Sequence, residues 1–358
     1  MAKFALRLEA RPTPSRLMSW LSPVLAVLLT VLCGALLFMA LGHDPLAGLA
    51  VFFVEPLRDA HGWSELGLKV APLLLIAVGL AICFRANIYN IGAEGQLTLG
   101  AICGGAAALY LDDGVGGVAI IGVSLLAGMA GGMAWAGLVA WLRDRYNASE
   151  ILVSLMLVYI AQLLLSYLVY GVLRDPEGFN FPQSKLLSDG LLLPMLISDT
   201  RLHVGIVFAL LASLGGWLYL SRSIAGFRLR VGGMAPAAAR YAGFSSRKTL
   251  WSSLLICGAL SGLAGACEVL GPMGQLTPTV SPGYGFAAII VAFVGRLHPV
   301  GVIFSSFVMA LFYIGGELAQ SRLGLPSAIT GVFQGILLFA LLACDVLIQY
   351  KLRWRKHG

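Results

Sequence analysis

Residues 84–101, FRANIYNIGAEGQLTLGA, lie between two long apolar runs, 66–84 and 97–111. Arg85, Asn87, Asn90, Glu94 and Gln96 fall within this stretch. An ionisable side chain at membrane depth costs about 2.5–3.5 kcal/mol on insertion scales, so it faces a cavity or a partner rather than lipid. Gly92, Gly95 and Gly100 suit a broken or closely packed backbone, which a bilayer tolerates only where protein or water covers it. A polar, glycine-interrupted apolar segment points to a transport path. A short cytoplasmic turn between two ordinary spans is the simpler alternative.

The flanking runs belong to a chain of 358 residues that is 59% hydrophobic and 11% charged, with a mean hydropathy of +0.88. A soluble domain carries about 25% charged residues, so this is an integral membrane protein. Windows of about 20 apolar residues predict an all-α fold of about ten transmembrane helices, at 20–41, 66–84, 91–111, 115–142, 151–173, 203–220, 250–270, 283–294, 301–320 and 326–348. At about 1.5 Å per residue the eighth is too short to cross alone. It is either a half-helix or a segment that begins nearer Leu276.

The formal charge of +7 reflects topology rather than nucleic-acid binding, because the basic residues gather between spans. Arg7, Arg11 and Arg16, then Arg143 and Arg145, then 222–248, then Lys351, Arg353, Arg355 and Lys356 are expected in the cytoplasm, beside membrane lipid. Asp44, Glu55, Asp59 and Glu65, then Asp112 and Asp113, then Asp175, Glu177, Asp189 and Asp199 belong outside. Both termini are therefore cytoplasmic. The organisation is a tail at 1–19, one transmembrane domain at 20–348 with a cytoplasmic segment at 221–248 and a solvated external loop at 174–202, and a basic tail at 349–358. Five spans on each side of that loop would form an inverted repeat, a relation the similar placement of Arg85 and Arg296 supports.

Two further stretches stand out. Segment 221–248 holds six basic and no acidic residues. Within it Pro236 can open a helix, 237–241 are helix-permissive and Gly243 can end it. A short helix of small residues at the cytoplasmic face suits insertion into a cleft on another protein. In 281–305, Gly283, Gly285, Gly295, Gly301, Pro282 and Pro299 interrupt the apolar run, and Tyr284, Phe286 and Phe293 offer flat faces to a ring-shaped solute or to packing neighbours. His298, beside Pro299, suits a capping or interfacial role.

Several chemistries are excluded. The six cysteines lie inside apolar runs with no Cys-x-x-Cys and no metal-ligand spacing, so no metal and no cofactor are expected. There is no Gly-x-x-x-x-Gly-Lys-Ser/Thr phosphate loop, and no nucleophile, base and acid are set at a common site, so the chain is not an enzyme. Glu94, Glu268, Glu317 and Asp345 are isolated in sequence, whereas a proton-coupled carrier uses chains of such groups.

Together these stretches resemble the permease subunits of bacterial ABC importers in the ribose, branched-chain amino acid and nucleoside superfamily, the nucleoside branch above all. That branch carries Arg-Ala-Gly-x-Phe-Asn-Ile-Gly-x-Glu-Gly-Gln, matched at Arg85, Ala86, Asn90, Ile91, Gly92, Glu94, Gly95 and Gln96. Its cytoplasmic signature is answered at Gly232, Ala237, Ala238, Ala242 and Gly243, and a third at 283–286, Ala288, Ile289, Gly295, Arg296, His298, Pro299 and Gly301. Ala287 stands where the family has Asp, Met234 where it has Asn, and Val158 where an Asn is common.

The resemblance implies import of a nucleoside or related purine or pyrimidine compound through the cytoplasmic membrane, with a simple sugar as the alternative. It implies a pathway at Asn87, Asn90, Glu94, Gln96, Tyr284, Phe286 and Arg296. It further implies a coupling segment at Gly232, Gly233, Ala237, Ala238, Arg240, Tyr241 and Gly243 seated on a separate ABC ATPase. A second, different permease chain and an extracytoplasmic binding protein complete the expected partners. The rival from another class is a secondary carrier coupling ions through Glu94, Glu268 or Glu317.

Overall fold

The computed structural model describes residues 4–11, 13, 15–112 and 117–356. Asp113 and the predicted start of the fourth span at Val115 lie outside the described residues. Each of the ten apolar windows contains a helix: α1 (Arg16–Ala40), α3 (Ala60–Arg85), α4 (Ala93–Leu111), α5 (Val118–Tyr146), α6 (Glu150–Tyr170), α7 (Gly205–Arg222), α10 (Ser246–Glu268), α11 (Tyr284–Val294), α12 (Pro299–Leu323) and α13 (Ile329–Gln349). The others are α2 (Pro45–Leu49), α8 (Ile224–Met234) and α9 (Pro236–Tyr241). Eight of the described helices are long and apolar enough to cross a membrane. The exceptions among the ten are α4, which starts with polar Glu94 and Gln96, and α11, whose 11 residues make it a half-helix.

The chain divides into two compact units, one of Met1–Gly62 with Leu311–Gly358 and one of Trp63–Ala310. In the first, the Ser22 hydroxyl donates to the Asp345 carboxylate, tying the start of α1 to the end of α13. The two tails pair as antiparallel strands β1 (Phe4–Ala10) and β2 (Tyr350–Lys356), with Phe4 opposite Lys356 and Ala10 opposite Tyr350. Alternation of apolar and polar residues in FALRLEA is the period of a strand. Because β1 leads into α1 and β2 follows α13, the two ends lie together in the first unit.

The first unit also holds an element the hydropathy windows miss. Residues 44–57, expected as an external loop, form α2, a π-helical turn (Ala50–Val54) and a 3-10 turn (Glu55–Leu57). Asp44 caps α2 by accepting from the Leu46 N–H at 2.9 Å. Phe52 is fully buried and stacks on Phe333 with centroids 4.2 Å apart. Nine apolar residues are too few to span but enough to fold back and bury aromatic rings.

In the second unit α3 is buried on nearly every face from Leu66 to Phe84, as a helix apolar all round must be. Beside it α4, α5 and α10 pack through small residues. A Cβ on Gly100 or Gly132 would overlap the backbone of Gly262, and one on Gly104 would come within 2.8 Å of the Ala266 methyl. Close backbone approach of this kind replaces the hydrophobic drive that lipid removes. The loop 173–204 is exposed along much of its length, but Leu187, Leu191 and Leu193 are buried and anchor it. Its N–H groups at Ser184, Leu187 and Leu193 bond the carbonyls of Leu276, Gly274 and Leu270.

Candidate functional site

The inner end of the second unit carries the basic segments. Here α3 and α11 terminate side by side with the same cap. Asn87 (φ 59°) and Arg296 (φ 58°) are left-handed. Ile88 N–H bonds the Cys83 carbonyl and Leu297 N–H bonds that of Ala292, a Schellman closure in both cases. Phe84 and Phe293, at equivalent places in the two caps, stack with centroids 5.1 Å apart and planes 18° apart. The Arg85 Nε donates to the Leu297 carbonyl at 2.7 Å. Arg85 and Arg296 therefore lie at the ends of two helices that are joined through the Arg85–Leu297 bond. His298 begins α12 by accepting from the Val300 N–H at 3.3 Å, the expected capping role. Burial, then the Arg85 charge, holds its imidazole below the usual range.

The segment 221–248 forms α8 and α9 and ends as its residues dictate. Pro236 occupies the first turn of α9, and Gly243 (φ 76°) closes it with Phe244 N–H bonding the Ala239 carbonyl. Ala239 is the buried anchor, while Ala237, Ala238, Arg240 and Gly243 are exposed. Tyr241 is 97% and Met234 86% exposed, so both ends of this short segment present apolar side chains at the surface. Gly233 lies against α3's end: a Cβ there would strike the Arg85 carbonyl and come within 3.0 Å of the Ala86 carbonyl carbon. A groove of about 420 Å³ between these elements is lined by Asn87, Gly232, Pro236, Ala239 and Arg240 among others.

About one helix-turn deeper, Asn90 and Gln96 close on each other. Asn90 Nδ2 donates to Gln96 Oε1 at 3.2 Å and Gln96 Nε2 to Asn90 Oδ1 at 3.3 Å, and Asn90 also reaches Cys257 Sγ (3.2 Å) and the Gly92 N–H (3.0 Å). Both are buried. Their amides hold the non-helical link between α3 and α4 in place, satisfying backbone that a bilayer would otherwise leave bare.

Glu94 stands at the junction of two helix starts. It lies in the first turn of α4, and its Oε2 accepts from the Gly285 N–H of α11 at 2.5 Å. The Ser281 hydroxyl also bonds this carboxylate and accepts from the Gly283 (3.2 Å) and Tyr284 (3.0 Å) N–H groups. One negative charge thus serves the positive ends of two helices. Gly285 permits the approach, because a Cβ there would lie 2.8 Å from that of Glu94 and overlap its backbone.

At the opposite end of α3 from Arg85, a cavity of about 400 Å³ is lined by Lys69, Arg201, Glu268, Thr279, Ser281 and Tyr284 among others. Arg201 is held by Glu65 through two hydrogen bonds, 3.0 and 2.5 Å, and Lys69 Nζ lies 5.9 Å from the Tyr284 ring centroid. Tyr284 is the one residue of the expected pathway that reaches this cavity. Asn87 lines the inner groove, Arg296 follows the far end of α11, and Phe286 is exposed. Val158 and Ala287, the apolar departures from the nucleoside pattern, are buried and are not among the cavity's lining residues. Lys69 escaped sequence reasoning although it is an ionisable residue inside the second apolar run, which is itself a signal.

Residues 64–342 match the family described as branched-chain amino acid transport system / permease component. The chain is 32% identical to the glucose ABC transporter permease protein TsgB13 of Haloferax volcanii over 97% of its length and 93% of the relative's. It is 31% identical to the guanosine ABC transporter permease protein NupP of Bacillus subtilis over 90% and 93%. Among solved structures it shares the fold of a metal-chelate type ABC transporter in an inward-facing conformation, with a TM-score of 0.50 at 18% identity, covering 92% of this chain and 99% of the other. A multi-pass helical protein with an exposed alanine-rich helix at its basic end, this chain belongs to the branched-chain amino acid transport system permease-component family of ABC transporters.

Proposed function

We propose that this chain forms half of the translocation pore of an ATP-driven importer in the cytoplasmic membrane and moves a nucleoside or a related purine or pyrimidine compound. ATP hydrolysis belongs to a separate cytoplasmic ATPase docked on α9, a second permease chain completes the pore, and an extracytoplasmic binding protein delivers the solute. The guanosine and nucleoside permeases among its relatives support the nucleoside reading. The glucose permease, at 32% identity, supports a simple sugar as the second reading. The family sets aside the ion-coupled carrier.

The observation that carries the reading is an unbroken set of contacts through the second unit. It runs from α9 to the adjoining α8, from Gly233 of α8 to Arg85, from Arg85 to Leu297, and along α11 to Gly285 and Glu94. A push on α9 is delivered to the start of α11 through packed backbone that cannot absorb it. The experiment is Ala238→Arg in the assembled transporter reconstituted in liposomes. Uptake of radiolabelled guanosine is expected to fall to background while the complex still elutes intact. Unchanged uptake would remove the coupling assignment.

A further inference from the structure

The cavity at the outer end of the second unit carries an unusual charge arrangement. Lys69 and Arg201 line it together with the carboxylate of Glu268, and Glu65 holds Arg201 from behind through both carboxylate oxygens. Glu268 is only 6% and Glu65 7% exposed. Two cationic and two anionic groups give a formal sum of zero. The flat ring of Tyr284, 2% exposed, lies under the Lys69 ammonium, and the exposed Thr279 adds a hydroxyl. Ser281 is committed to Glu94 and to the start of α11. It forms floor rather than ligand contact.

At about 400 Å³ the cavity falls within the range of small-molecule sites. We propose that it is the solute-holding site of this permease and that its internal charge balance selects a neutral, hydroxyl-bearing ring compound the size of a nucleoside or monosaccharide and rejects the phosphorylated forms. This rests on the importer reading given above. A neutral solute can donate to Glu268 and accept from Lys69 without disturbing either, whereas an added phosphate would meet cations already engaged and two buried carboxylates, and like charges brought together out of water repel strongly. The floor of the site is the start of α11, the same helix whose other end is gripped by Arg85 beside the α9 segment.

The test uses the purified permease–ATPase complex without its binding protein, so that selectivity belongs to the membrane chains. Thermal unfolding is followed with guanosine, glucose, guanosine 5′-monophosphate and glucose 6-phosphate. A saturable rise in midpoint is expected with at least one neutral compound and with neither phosphate. Glu268→Gln, which leaves the site with a net positive charge, is expected to weaken neutral binding at least tenfold and to admit the matching monophosphate. Lys69→Gln, with the opposite imbalance, is expected to lose the neutral compound and still reject the phosphate, so either variant that elutes as an intact complex suffices.

Equal shifts from neutral and phosphorylated compounds, no shift from either neutral compound, or wild-type affinity in an intact variant would each overturn the proposal. Uptake of guanosine and glucose by the full transporter is measured in parallel. If wild-type uptake is ATP-dependent and the variants keep its KM, this site is wrong while the importer reading stands. If the wild type moves neither solute, the importer reading itself fails.

Discussion

The Gly285 N–H donates to the Glu94 carboxylate at 2.5 Å, joining residues 191 positions apart in the chain at the point where two helices begin. Removing the charge or adding bulk acts on the same contact from opposite sides. Glu94→Gln gives up a charge-assisted bond, a loss of about 1.5–3 kcal/mol. Gly285→Val overfills the junction, which destabilises by about 1–3 kcal/mol and displaces the start of α11. Uptake is expected to fall at least tenfold for Gly285→Val and less for Glu94→Gln, with unfolding midpoints lowered in both. Wild-type uptake by Gly285→Val would show that the start of α11 need not hold this position.

Gly233 separates α8, which leads into the proposed coupling helix α9, from the end of α3 by the width of one missing methyl group. Gly233→Leu is expected to uncouple the transporter: ATP hydrolysis by the assembled complex continues while solute uptake per ATP drops several-fold. A proportional loss of both activities would indicate a failure of assembly instead, visible by size-exclusion chromatography.

Asn90 and Gln96 bond one another, so Asn90→Leu strands the buried Gln96 amide, whereas Gln96→Leu takes one partner from Asn90 and leaves it Cys257 Sγ and the Gly92 N–H. Asn90→Leu and Gln96→Leu are each expected to destabilise by about 1–3 kcal/mol. The double variant should lose less than their sum, since the bond the two amides share is then counted once and neither amide remains to miss the other. Chemical denaturation of the four proteins in detergent closes the cycle.

His203 is 2% exposed; its Nδ1 accepts from the Gly205 N–H at 3.0 Å, and its Nε2 has no hydrogen-bond partner among the described residues. Burial pulls its pKa down to about 4. The folded state thus binds fewer protons than the unfolded state between roughly pH 6.5 and 4. The stability it contributes is present above pH 6.5 and is lost as pH falls through that window. An upper bound is about 3 kcal/mol by linkage. The unfolding midpoint of the wild type should drop on acidification from pH 7 to 5, and His203→Asn should flatten that part of the profile. An equal slope in the variant would assign the acid sensitivity to other groups.

Long apolar runs made the helices readable, because lipid accepts little else. The ends of α9 were readable too, since Pro236 and Gly243 impose their geometry locally. What escaped depended on partners distant in sequence. The mutual bonding of Asn90 and Gln96 spans a non-helical link whose path no periodicity encodes, so the sequence does not show that these two amides bond each other. Asn87 and Asn90 are three residues apart in the sequence, yet the left-handed turn at Asn87 leaves one exposed and the other buried. Charged residues from three separate segments, Lys69, Arg201 and Glu268, become neighbours only when α3, the 173–204 loop and α10 are assembled. Residues 45–57 were passed over because a length criterion for crossing is blind to apolar helical segments this short.

The pairing of β1 with β2, with Phe4 opposite Lys356, makes the polypeptide nearly a ring. A few linking residues between these strands would join them covalently, and new ends could be opened at the exposed Phe179, in a bend of the outer loop. Such a permuted chain would present its termini in the exposed loop of the second unit, offering a handle for labelling that loop while leaving the sequence of α8 and α9 untouched.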